Sequence, residues 1–137
     1  MEFPYQKEKS ALFGQILRPL IEFEIRTKIG WIPVMGYLDS GADITLLPLS
    51  FAKILGIIIE DEEVKEIKGV GDSAVSVIIK EIGMRIGNVN LKVKAGIALV
   101  EEVPYLLGRK DIFNKFRIIF EEYNERIILE PINNTKK

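Results

Sequence analysis

The chain contains neither cysteine nor histidine. Without cysteine there is no disulfide, no thiol nucleophile and no thiolate metal site. Without histidine, Ser-His-Asp chemistry and His-ligated zinc or iron are excluded. Any acid–base chemistry must then use Asp, Glu, Lys or Tyr. Long hydrophobic runs are also missing, since every apolar stretch falls far short of a membrane span. The opening MEFPYQKEKS mixes charges and carries no apolar segment of the kind found in secretory signals. The expectation is a cytoplasmic protein with no membrane partner. No sign of charge dominates: the net charge is −1 over 137 residues, with acids and bases interspersed. That pattern offers no broad basic face for nucleic acid. Glutamine is scarce while isoleucine, lysine and glutamate abound, which leans towards a thermophilic source.

What is present suits one domain spanning 1–137, with 47% apolar residues to build a core. The ordered part is expected at about 16–130, with frayed ends. The patterning reads as all-β, mostly antiparallel, with one or two short helices. Residues 16–26 alternate apolar and polar near their end, as a half-buried strand does. Residues 31–38 form a second strand after the turn signal KIG, and Pro33 there suits an edge or a bulge. PLSFAKILG (48–56) has the apolar spacing of a short helix, with Pro48 near its start and Gly56 at its end. Residues 64–82 read as two strand-like arms around a glycine-containing tip, a β-hairpin. Short strands follow, with a Gly-Asn turn at 87–88. LLGRKDIFNKF (106–116) reads as a strand end entering a short helix, and a last hairpin turns near Tyr123 and Asn124.

Within this frame GYLDSGADITLLP (36–48) stands out, because Asp39 and Asp43 lie inside an apolar stretch. Asp-Ser-Gly is also an ordinary turn tripeptide, and Asp43 could be a turn acid or a helix cap. Yet Asp39 ends an apolar strand and ITLLP returns the chain to the core. A carboxylate so placed is partly desolvated, which favours its protonated form. Acid–base catalysis without histidine needs two such carboxylates sharing a proton. Asp43 is a poor second member, because one short loop cannot easily aim both groups at one water. A two-fold axis between two copies of the chain would supply a second Asp39.

LDSGADITLLP resembles the active-site loop of the retropepsin-like aspartic proteases, and LLGRKDIF (106–113) resembles their second signature, an apolar pair followed by Gly-Arg. IKGVGDSAVSV lies between them, where that family carries its flap. The resemblance covers roughly residues 16–130. It implies an acid-protease barrel with one active-site loop per protomer and a homodimer. It implies that Asp39 is the catalytic aspartate, with Ser40, Gly41 and Ala42 supporting the loop. Asp43 would bind the substrate main chain and pair with Arg109. Gly69, Val70 and Gly71 would form the flap tip over the peptide. Leu106, Leu107 and Gly108 would pass behind the loop. Lys110 stands where viral members place Asp or Asn, so the resemblance assigns no role to Asp111. Trp31 reads as a packing residue at a strand start rather than a substrate platform.

The function implied is a homodimeric aspartic endopeptidase acting on peptide or unfolded protein, without metal or cofactor. A dimer of the same fold that binds peptides or scaffolds an assembly is the alternative. A phosphate-binding loop is a third reading of DSGAD. It lacks the threonine and the two-domain length that such loops accompany.

Overall fold

A computed structural model describes residues 1–69, 71 and 73–133. The strands are β1 (Glu2–Pro4), β2 (Gln6–Ser10), β3 (Gly14–Arg18), β4 (Leu20–Thr27), β5 (Gly30–Leu38), β6 (Thr45–Leu47), β7 (Lys65–Lys68), β8 (Ala74–Ile86), β9 (Val89–Ala98), β10 (Leu106–Leu107), β11 (Phe116–Glu121) and β12 (Arg126–Pro131). Helix α1 (Ser50–Ile54) is the one α-helix among the described residues. The architecture is the all-β one that the patterning predicts.

The central sheet runs β4-β5-β10-β6-β9-β8, and β8 pairs back onto β4, so six strands close into a barrel. Strand β4 shows why. Ile21, Phe23, Ile25 and Thr27 are buried, while Glu22 and Arg26 between them are exposed. A period of two places one face of the strand in the core. The barrel interior is aliphatic, with Phe23, Ile25, Leu47, Met84, Val93, Ile97 and Leu107 each at most 1% exposed. Helix α1 packs Phe51 and Ala52 onto this core, with the Phe51 ring edge-on to Tyr105 at 5.8 Å. A separate sheet, β1-β12-β11, lies alongside and contributes Ile127 and Leu129 to the same core. Strands β2 and β3 make a third, two-stranded unit.

Several expectations need correction. Residues 16–26 are not one strand, because Pro19 separates β3 from β4. The first ten residues do not fray. β1 pairs with β12, β2 pairs with β3, and the Met1 amine donates to the Leu129 carbonyl at 2.9 Å. The first short strand expected beyond residue 82 is instead the end of β8, thirteen residues long, which turns at Gly87 and Asn88, as expected, into the ten-residue β9. The helix expected after residue 108 is only a 3-10 turn, Phe113–Lys115. Pro33 lies on the half of β5 that β10 does not cover, where the ladder loses nothing by its missing N–H.

The barrel closes through a short seam, Glu24 opposite Arg85 and Ile25 opposite Met84. Gly83 sits beside it, where a side chain would press to 3.1 Å of the Arg26 Cβ. Outside the seam, Arg85 Nε donates to Glu24 Oε1 at 2.6 Å. The Arg85 guanidinium also lies 4.2 Å above the Trp31 ring, with that of Arg26 at 5.6 Å. Trp31 therefore packs over the seam, at the end of β5 remote from Asp39. The hydrogen bond from Arg85 holds the Glu24 carboxyl below its ordinary value of 4.5. A depressed carboxyl adds stability above its unfolded value and loses it as pH falls through the folded one. The melting temperature of wild type should therefore exceed that of Glu24→Gln at pH 6. The gap should shrink as pH drops below 4.5. A gap constant from pH 6 to about 3 would refute this role for the seam.

Candidate active site

The loop of residues 39–44 joins β5 to β6, but these strands are not neighbours. β10 lies between them, parallel to β5 at Leu107–Leu38 and antiparallel to β6 at Leu106–Leu46. The loop therefore arches over the end of β10 instead of closing as a hairpin. The arch is held by backbone. The Asp39 amide donates to Leu107 O at 3.0 Å, the Arg109 amide to Ala42 O at 2.8 Å, and the Lys110 amide to Asp43 O at 2.9 Å. Inside the arch the Ala42 amide closes a turn on Asp39 O at 3.2 Å.

Gly108 fits under this arch only because it has no side chain. A Cβ there would stand 2.2 Å from the Ile44 carbonyl carbon. Its amide donates to the hydroxyl of Thr45 at 3.2 Å, and Thr45 is fully buried. Thr45 was not singled out from the sequence. Its only signal is one hydroxyl in the apolar run ITLLP, which buries a polar atom that must find a partner.

Asp39 is half-buried at the start of the arch. Its Oδ1 accepts the Gly41 amide at 2.9 Å, and a Cβ on Gly41 would come within 3.3 Å of the same oxygen. The side chain is thus oriented by its own loop. Ser40, Gly41 and Asp43 are exposed, and Ala42 is half-buried.

Strands β7 and β8 form a hairpin, closed near its tip by the Gly69 amide donating to Ser73 O at 2.9 Å. Gly71 has φ +73°, which suits glycine at such a tip. Val70 lies outside the described residues. At the base of this hairpin, Ile67, Val77 and the loop residue Ile44 converge on Gly96, where a Cβ would be 3.0 Å from the Ile44 Cδ1. A small apolar cluster of Leu46, Val77 and Ala98, flanked by Ile67, Ile79 and Leu106, joins the hairpin to β6, β9 and β10.

Arg109 and Asp43 do pair, with Arg109 Nη1 3.8 Å from Asp43 Oδ1, and in the protomer the pair lies at the surface, the two side chains being 62% and 92% exposed. Both sit on the outer rim of the arch, beside an open hollow of about 310 Å³ shared with Lys110, Asp111 and Asn114. The backbone of Arg109, not its guanidinium, braces the loop. Asp111 does have a place: at φ +66° it turns back so that Oδ2 accepts the Lys94 amide at 2.9 Å, tying this segment to β9.

No protein-family model matches the sequence, and no curated protein matches it significantly. The fold is similar to that in the crystal structure of a retropepsin-like aspartic protease from Rickettsia conorii. The TM-score is 0.64 at 16% identity, covering 94% of this chain and 89% of that one. The fold is therefore of the retropepsin-like kind. No helix among the described residues is long and apolar enough to cross a membrane.

The two bracing contributions are separable. Gly108→Ala forces a methyl into the Ile44 backbone and should cost about 3 kcal/mol or abolish folding. Arg109→Ala removes only an exposed ion pair and should cost less than about 1 kcal/mol. Urea denaturation of both variants checks this, and an Arg109→Ala loss as large as that of Gly108→Ala would contradict it.

Proposed function

We propose that the chain is a homodimeric aspartic endopeptidase in which two copies of Asp39 share one water. The observation that carries this reading is the backbone-held arch. It holds one half-buried carboxylate, oriented through the Gly41 amide, directly after the end of β5. The similarity of fold to a retropepsin-like aspartic protease supports it. Only one Asp-Ser-Gly occurs in the sequence, so the second carboxylate has to come from another copy.

The chemistry follows from the pair. One Asp39 is ionised and takes a proton from the water as it attacks the peptide carbonyl carbon. The other is protonated and gives its proton to the carbonyl oxygen, forming a neutral tetrahedral diol. Breakdown returns a hydroxyl proton to one carboxylate while the nitrogen is protonated and the C–N bond breaks. No covalent enzyme intermediate forms, and one proton remains shared at the end. Gly69, Val70 and Gly71 at the flap tip would cover the peptide from the opposite side. Asp43, exposed on the rim, is placed to accept main-chain N–H groups from it. Substrates are extended peptides or unfolded segments, since a folded chain could not pass between flap and loop.

The active form is the singly protonated pair, which titrates as a unit. Hydrolysis of denatured casein should follow a bell-shaped pH profile with its maximum on the acid side of neutrality. Asp39→Asn should keep the dimer by light scattering and lose cleavage altogether. Near wild-type turnover by that variant, or full activity from a strictly monomeric species, would sink the proposal. A wild-type dimer that binds peptide but cleaves nothing across the pH range would instead point to the peptide-binding alternative.

A further inference from the structure

The N-terminal hairpin β2–β3 lies outside the barrel sheet, with Leu17 packed on the main core. It pairs with no other strand among the described residues, and a lone two-stranded hairpin is at best marginally stable in water. Its tip nevertheless carries two adjacent large apolar side chains, Leu12 and Phe13, which are 84% and 74% exposed. The tip is well formed. The Ser10 hydroxyl accepts the amides of both Leu12 and Phe13 at 3.2 Å, and Gly14 completes the turn at φ +72°. Two apolar groups are thus presented to solvent on an ordered turn, where burying them would be favourable.

The base of this arm stands next to Asp39. Pro19, directly after β3, accepts the amide of Leu38 at 3.2 Å, one residue before the catalytic position. The Tyr37 hydroxyl donates to Glu8 of β2. Arg18 of β3 brings its Nε to 3.0 Å from the same carboxylate, near enough for ion pairing. Burial and the Glu8 contact push the Tyr37 phenol up, so it remains a donor at any working pH. The arm is therefore fastened to the strand end that delivers Asp39. In a dimer with two copies of Asp39 facing across a two-fold axis, both arms start beside that axis. Five residues of strand reach roughly 16 Å, enough to cross it.

We propose that the β2–β3 hairpin is a dimer-clasping arm whose Leu12 and Phe13 dock on the second copy of this chain. The inference rests on the two-copy reading of the active site, and it adds the element that holds the copies together. It explains why an exposed apolar tip sits on a strand pair anchored at the residues that lead into the catalytic loop. A tip that bound an unrelated surface would have no reason to stand there.

The test uses the double variant Leu12→Ser/Phe13→Ser beside wild type. Sedimentation velocity over a dilution series should show the dimer Kd raised about 100-fold or more, from two apolar side chains lost per protomer. The melting curve of dilute, monomeric protein should be little changed, because Leu12 and Phe13 are largely exposed in their own protomer. Casein hydrolysis should fail at low protein concentration and recover at high concentration. The chain has no cysteine, so Phe13→Cys carrying a benzophenone label reports the contact directly. Illumination of a mixture of two differently tagged chains should link the label to the other chain. An unchanged dimer Kd overturns the clasp and leaves the two-copy active site standing. Wild type that is monomeric while cleaving casein overturns both. Binding of the tip to vesicles of anionic phospholipid, with the dimer Kd unaffected by the double variant, overturns the clasp in favour of a membrane surface.

Discussion

The contact on which the site depends is the one between Gly108 and the backbone of Ile44. Because β10 runs between β5 and β6, the chain leaving β5 must pass over the end of β10 to reach β6. The crossing is so close that a single Cβ at 108 would overlap the Ile44 carbonyl. Such proximity leaves no room for water between the segments, so every backbone donor there needs a protein partner. The partners are found across the crossing: the carbonyl oxygens of Leu107, Ala42 and Asp43 accept the amides of Asp39, Arg109 and Lys110, and the buried hydroxyl of Thr45 accepts that of Gly108. A loop tied at that many points is firmly placed, which the proposed catalytic role of Asp39 requires, since such a carboxylate has to be held to well within an ångström. The packing constraint and the chemical requirement are met by the same set of bonds.

Much of this was legible in the sequence because it is local. The strand character of β4 follows from apolar residues at every second position, and the Asp-Ser-Gly turn from the preferences of its three residues. The order of the Asp-Ser-Gly loop, the β-hairpin and Leu-Leu-Gly-Arg along the chain was legible for the same reason. What was not legible depends on residues distant in sequence. The end of the hairpin arm expected at residue 82 does not occur, because Gly83 lies inside β8 and serves the close approach of β4 across the seam, a contact made with Arg26. The polar segment QKEKS reads as a frayed end because its pairing partner β3 lies beyond a turn, and β1 finds its partner only at β12. Thr45 gives no periodic signal, since its importance comes from an amide 63 residues away.

The barrel and the arch also divide the glycines between two tasks. Gly83, Gly96 and Gly108 have neighbours where a Cβ would stand, so they are there for space rather than for backbone freedom. Gly14 and Gly71 have open surroundings and positive φ, so they are there for conformation at hairpin tips. The distinction shows in the β7–β8 hairpin. A Cβ on its tip glycine, Gly71, would meet nothing within 4 Å, whereas at its base Ile67 and Val77 meet Ile44 over Gly96.

The spacing of Asp43 and Arg109 brings them together, but nothing in a spacing says whether water reaches them. In the single protomer it does, and at 3.8 Å with both side chains well exposed the pair contributes at most about 1 kcal/mol. Solvation is the variable that changes this. A surface laid over the rim would strip water from both groups, raising the cost of each charge and the strength of their attraction together. Removing either partner beneath such a cover would leave a buried charge alone, which costs about 3–5 kcal/mol. The energy of the pair is thus set by what covers the arch rather than by the fold of the protomer. The same holds for Asp39, whose half-buried carboxylate is oriented by its loop but dried only by what faces it.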